Sequence, residues 1–115
     1  MDSDYSDSPF SAILRGDQPG TVIVRDDRQR FAIIASLEPE AAIHWLAVPF
    51  EPGFSTEEMK QKEGERFLAL LEFAVNETKA QAESYPALHN GFTIKFHLGA
   101  YETVPHAKLH ILSME

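Results

Sequence analysis

His106-Ala107-Lys108-Leu109-His110 places three ionisable side chains at every second position, with apolar Ala107, Leu109 and Ile111 out of phase with them. In an extended chain side chains alternate between faces, so 106, 108 and 110 fall on one side and the apolar residues on the other. Neighbours in such a row stand roughly 6.6 Å apart and the two histidines roughly 13 Å apart, which suits an extended anion such as a phosphate chain better than one ion. Two imidazoles and an ammonium supply hydrogen bonds and positive charge. Nucleophilic attack needs a free lone pair as well. Histidine near its ordinary pKa of about 6.5 has one at neutral pH, whereas lysine near about 10.4 is protonated. Lys108 as nucleophile would have to lose roughly three to four pKa units, which burial favours and an incoming phosphate opposes. Three roles stand open for Lys108: an anion clamp, a lysine solvated or salt-bridged to Glu102, and an attacking amine. The histidines have a plainer reading too, as two strand residues facing a partly solvated cleft.

The row needs a sheet to hold it. Pro9 to Gly16 has apolar residues at 10, 13 and 14 and a closing glycine, one short helix. Thr21–Arg25, Phe31–Ala35 and Ile43–Pro49 are β-branched or apolar runs with turn residues between them, which predicts an antiparallel meander. Ser55 or Thr56 followed by Glu57 and Glu58 reads as the start of a long helix running to about Ser84. Phe67, Leu70, Leu71, Ala74, Val75, Thr78 and Ala82 form its apolar stripe. Phe92–Leu98 begins with apolar and polar residues alternating, a half-buried strand, and the segment 103–112 ends in the last strand. The expected architecture is α+β: a five-stranded antiparallel sheet with one long and one short helix.

Composition bounds the rest. At 115 residues with 43% hydrophobic content the chain makes one module, expected over residues 9–115 behind an acidic disordered tail at 1–8. The net charge of −8 argues against nucleic acid and anionic membrane as partners, and the apolar runs are too short to span a bilayer. Zero cysteines exclude disulfides, thiol nucleophiles, Cys-ligated zinc and iron–sulfur clusters. With acidic first residues unlike a signal peptide, the expectation is a cytoplasmic protein with no cofactor and no metal. A His44, His97, His106 metal site fits no known ligand spacing, and His89 and His97 read from the residues alone as surface or strand-end groups.

Val104-Pro105-His106-Ala107-Lys108-Leu109-His110-Ile111-Leu112 resembles the signature of the histidine triad (HIT) superfamily, three histidines alternating with apolar residues. Pro39 to Pro49, with Ala41, His44 and Leu46, is similar to the family's Pro-x-Ala-x-x-His-x-Leu strand. Ser8-Pro9-Phe10-Ser11 looks like its Cys-x-x-Cys opening with serine at both cysteine positions, so the zinc site that some members carry there cannot form in its usual way. The resemblance runs in order over residues 8–112. It implies a homodimer, through the long helix and a sheet edge, that binds nucleotides and cleaves or transfers nucleoside monophosphates through a nucleotidyl-histidine. His106 would then orient the nucleophile, His110 would contact phosphate or the leaving oxygen, His44 would join the same pocket, and Lys108 stands at the nucleophile position. Ser36 matches a ribose-binding Asp, His97 lies near a common Asn, and Glu102 and Thr103 lie in the loop that meets phosphate. Three functions follow as expectations: a binder of a nucleotide or other phosphorylated small molecule with impaired or absent turnover, an active hydrolase or transferase using Lys108 or another residue, and an interaction module with a vestigial pocket.

Overall fold

A computed structural model describes residues 8–99 and 105–114. Helix α1 spans Pro9–Arg15, and strands β1 (Val22–Asp26), β2 (Phe31–Ala35) and β3 (His44–Pro49) follow. Helices α2 (Thr56–Lys62) and α3 (Gly64–Gln81) lead through short 3-10 turns at Ala82–Ser84 and Pro86–Leu88 to β4 (Phe92–Lys95) and β5 (Leu109–Ser113). The strands form one five-stranded antiparallel sheet, as expected from the sequence, and their order is β1-β2-β3-β5-β4.

Each face of the sheet has its own cover, and strand alternation decides which residues meet it. Phe31, Ile33, Trp45, Ala47, Leu109 and Ile111 pack under Met59 of α2 and Phe67, Leu70, Phe73 and Ala74 of α3. Ala32, Ile34, Leu46 and Val48 face the other way, against Ile13, Phe10 and Leu14 of α1. With seven residues, α1 covers only part of that second face. On β5 and β4 the same face carries His110, Leu112, Thr93 and Lys95, none of them buried.

Local chemistry sets the helix ends. Ser8 Oγ accepts the Ser11 N–H at 3.1 Å, Pro9 opens α1, and Gly16 closes it at φ 84°, a left-handed conformation that costs glycine little. Ser55 and Glu58 form a reciprocal capping box at the start of α2.

Three expectations are corrected. The long helix is broken at Glu63, at φ −137° and ψ 56°; an unbroken helix would put this carboxylate on the buried stripe between Met59 and Phe67, and Gly64 is a poor helix former. Ser8 belongs to the fold, being 8% exposed and capping α1, while residues 1–7 of the expected tail lie outside the described residues. The last strand starts at Leu109, so His106 and Lys108 precede it and the three-residue row is not one strand edge. Among the described residues, no helix is long and apolar enough to cross a membrane.

Candidate functional site

The open part of the sheet face brings together histidines that are far apart in sequence. His110 on β5 lies between Leu46 of β3 and Lys95 of β4, and His44 at the start of β3 pairs with Leu112. His44 and His110 are therefore diagonal neighbours on one face, where long side chains reach each other. Their rings lie 5.2 Å apart, with His44 Nε2 2.9 Å from His110 Nδ1. His97 also packs on His110, ring centroids 5.0 Å apart and planes inclined at 64°. The imidazole row thus runs across the strands, His44–His110–His97, instead of along β5.

One backbone contact sets the proton pattern. The Glu40 N–H donates to His44 Nδ1 at 3.1 Å, so a neutral His44 carries its proton on Nε2 and donates it to His110 Nδ1. A neutral His110 then carries its own proton on Nε2. Burial pushes His110 down to about 4, helped by the positive ends of His44, His97, Lys108 and Lys95. Burial also lowers His44, against the opposing pull of Glu40. Both are neutral at pH 7, and His110 Nε2–H is a hydrogen-bond donor without a charge. Lys95 adds an ammonium beside them, 3.3 Å from Glu40 Oε1; that hydrogen bond, with the Lys95 charge, lowers Glu40 below the usual carboxylate range.

His106 sits elsewhere. It is fully buried, with Nε2 2.6 Å from the Pro49 carbonyl and Nδ1 2.6 Å from Ser8 Oγ. A carbonyl only accepts, so Nε2 carries the proton and the Ser8 hydroxyl donates to Nδ1. Phe10 meets the ring edge-on at 5.4 Å. Burial lowers its pKa, and the Lys108 charge adds to this while the Pro49 hydrogen bond opposes it. The side chain that the sequence puts at the head of the reactive row therefore clasps the start of α1 to the end of β3.

Lys108 lies between these two environments and acts electrostatically on both histidines. Its backbone is held at both polar groups by one buried side chain: the Lys108 N–H donates to Thr56 Oγ1 at 3.1 Å, and the Thr56 hydroxyl donates to the Lys108 carbonyl at 3.2 Å. The half-buried side chain carries Nζ to 5.6 Å from the Phe10 ring centroid. The first residue of α2 thus fixes where the ammonium starts, and a ring of α1 limits where it goes.

Ser36 lies beside His44, its N–H donating to the His44 carbonyl at 2.8 Å, but its Oγ accepts the Glu38 N–H at 3.2 Å and is folded into a local turn. Glu102 and Thr103 lie outside the described residues. Lys95, Glu40 and Ser8 were missed by sequence reasoning. Lys95 shares the alternation that carries His97 and could have been found from it, whereas the Glu40 contact is made by backbone and has no side-chain signal.

No protein-family model matches the sequence, and no curated protein does either. Solved structures do. A Zn-bound histidine triad family protein from Mycobacterium smegmatis is 27% identical with a TM-score of 0.75, over 92% of this chain and 73% of that one. A HIT family hydrolase from Legionella pneumophila is 22% identical with a TM-score of 0.74, over 95% and 94%. A hypothetical histidine triad nucleotide-binding protein from Sulfolobus tokodaii is 18% identical with a TM-score of 0.77, over 92% and 68%. The residues at the start of α1 do not fit zinc: Ser8 and Ser11 offer neutral hydroxyls, and both nitrogens of His106 are hydrogen-bonded. Among the described residues no group of three or more His, Cys, Asp and Glu side chains is placed to hold a metal ion. The five-stranded antiparallel sheet with its helices is the fold of histidine triad proteins.

Proposed function

We propose that the chain binds a nucleotide or a related phosphorylated small molecule on the open sheet face and turns it over slowly or not at all. The carrying observation is the direction of the protons. His44 Nδ1 accepts from Glu40, His110 Nδ1 accepts from His44 and His106 Nδ1 accepts from Ser8, so each of these rings meets its surroundings with an N–H and none offers a lone pair to phosphorus. Lys108 occupies the place of the family's nucleophile, and as an ammonium it attracts phosphate without attacking it. The site therefore has the means to hold an oxyanion, with charge from Lys108 and Lys95 and a directed hydrogen bond from His110 Nε2–H. His97 packs against His110, and Ser36 lies beside His44. The described residues leave Leu68 of α3 exposed and β4 at the sheet edge, the elements a homodimer would use.

Adenosine phosphoramidate incubated with the wild type, Lys108→Ala and Lys108→His chains tests this reading. It predicts negligible release of AMP by the first two and a gain with Lys108→His, which restores an imidazole lone pair at that position. Turnover by the wild type that Lys108→Ala abolishes would establish a lysine-based enzyme and overturn it.

A further inference from the structure

Beside the C-terminal turn of α1 lies a cavity of about 340 Å3 that shares no lining residue with the His44–His110 face. Ser11, Arg15, Arg25, Arg30, Phe50 and Glu51 line it. Three guanidiniums thus meet at one concavity in a chain of net charge −8. Two of them share one ring: the guanidinium carbon of Arg25 is 4.7 Å and that of Arg30 5.2 Å from the Phe50 centroid. Like charges at one concavity repel each other, and an anion bound there would offset that cost.

Arg25 and Arg30 are tethered mainly through Nε, which leaves Nη groups of both available. Arg15 Nε and Arg25 Nε hold Asp17 and Asp27, each at 2.9 Å, and Arg30 Nε holds Glu51. Arg25 Nη1 donates to the Leu14 carbonyl at 3.1 Å. Among the described residues, Arg25 Nη2 and both Nη groups of Arg30 make no hydrogen bond. The tethers are exposed ion pairs, which hold only weakly in water, so a doubly charged oxyanion competes with them easily.

The backbone points to the same place. Arg30 has φ 63°, a left-handed conformation natural for glycine or asparagine and costly for a long side chain. It closes the β1–β2 hairpin, its N–H donating to the Asp26 carbonyl at 2.8 Å. A glycine would make this turn without strain. Strain of this kind collects where a side chain is needed for function, and here it delivers a guanidinium onto Phe50 at the mouth of a cavity.

We propose that this cavity is a second binding site, specific for a small phosphate monoester, with the phosphate on the Nη groups of Arg25 and Arg30 and the attached group against Phe50. Its volume lies near the lower end of the range for small-molecule sites, about 300–1,000 Å3. Glu51, also hydrogen-bonded by Arg66 Nη1 at 3.0 Å, is the internal anion that the ligand displaces from Arg30.

Phenyl phosphate and inorganic phosphate, titrated into the full chain while the arginine Nε–H and histidine ring NMR signals are followed, provide the test. Saturable shifts at Arg25 and Arg30 are expected, with phenyl phosphate the tighter ligand. Arg25→Gln should weaken binding roughly tenfold through loss of a charge-assisted contact, and Glu51→Gln should tighten it by removing the competitor. Lys108→Ala should leave the titration unchanged, which separates this site from the one on the sheet face. Absence of saturation at these two arginines, shifts confined to His44 and His110, or affinities that neither Arg25→Gln nor Glu51→Gln alters would overturn the proposal. Arg25→Lys, which keeps the charge but loses the fork, should lie between wild type and Arg25→Gln and serves in their place if the Gln variant does not fold.

Discussion

His106 is fully buried, with one ring nitrogen on Ser8 and the other on the Pro49 carbonyl, whereas His110, four positions later, is half-buried and accepts at Nδ1 from a second imidazole on an open sheet face. Both rings are neutral, and burial is the main cause in each case. What separates them is the partner of the remaining nitrogen. A carbonyl consumes the N–H of His106 and makes the ring a structural strut. His110 keeps its N–H on a face where a ligand can take it. Lys108, gripped at its backbone by Thr56, stands where the two regions meet. Chemistry on this segment is thus assigned by the neighbours that strand pairing supplies, and residue type alone does not assign it.

The sharpest way to break the contrast is to delete each ring in turn. His106→Ala removes two buried hydrogen bonds and leaves a cavity and an orphaned carbonyl, and should destabilise the chain by about 3 kcal/mol or more in urea denaturation. His110→Ala should cost about 1 kcal/mol. Equal losses would show that both regions are structural. Next, Ser8→Ala removes the cap of α1 and the donor to His106 Nδ1 together and should cost about 1–2 kcal/mol in the same measurement.

Acid should separate folded from unfolded through both regions. His44, His106 and His110 all have native pKa values below 6.5, so the unfolded chain takes up their protons first as pH falls. Stability is therefore highest above about 6.5 and declines toward about 4, where His110 begins to charge in the native state. Thermal melts across this window check the decline, and His110→Asn should flatten it. The smallest effect is expected for Glu40→Gln. The Lys95 pair is exposed and contributes little, and the contact that orients His44 comes from the Glu40 backbone. Ligand affinity should survive this change; a large loss would mean that the carboxylate, and not the N–H, sets the proton pattern.

Much of the fold was legible because it rests on periodicity. The three-strand meander follows from short β-branched runs with turn residues between them, and α1 from its opening proline, the apolar residues at 10, 13 and 14 and its closing glycine. The break at Glu63 was hidden because the stripe continues on either side of it, and only the position of the charge marks where helix stops being favourable. At the site, His44 and His110 could be named from pattern, but their contact depends on the diagonal register of β3 and β5, which no local signal carries. The placement of His106 departs from the pattern for a related reason: period-2 alternation does not hold for the three residues ahead of Leu109, where the strand begins. Ser8 looked like the end of an acidic tail, and its role appears only once His106 is seen to need a donor.

The central claim is that Lys108 and the neutral His44–His110 pair hold an oxyanion. Calorimetric titration of AMP into the wild type and Lys108→Ala chains measures this most directly. The account predicts saturable binding to the wild type, weakened roughly 10- to 100-fold by the substitution through loss of one charge-assisted contact, with the melting temperature of the free chain little changed. Equal affinities in the two chains, or no heat of binding in either, would contradict it.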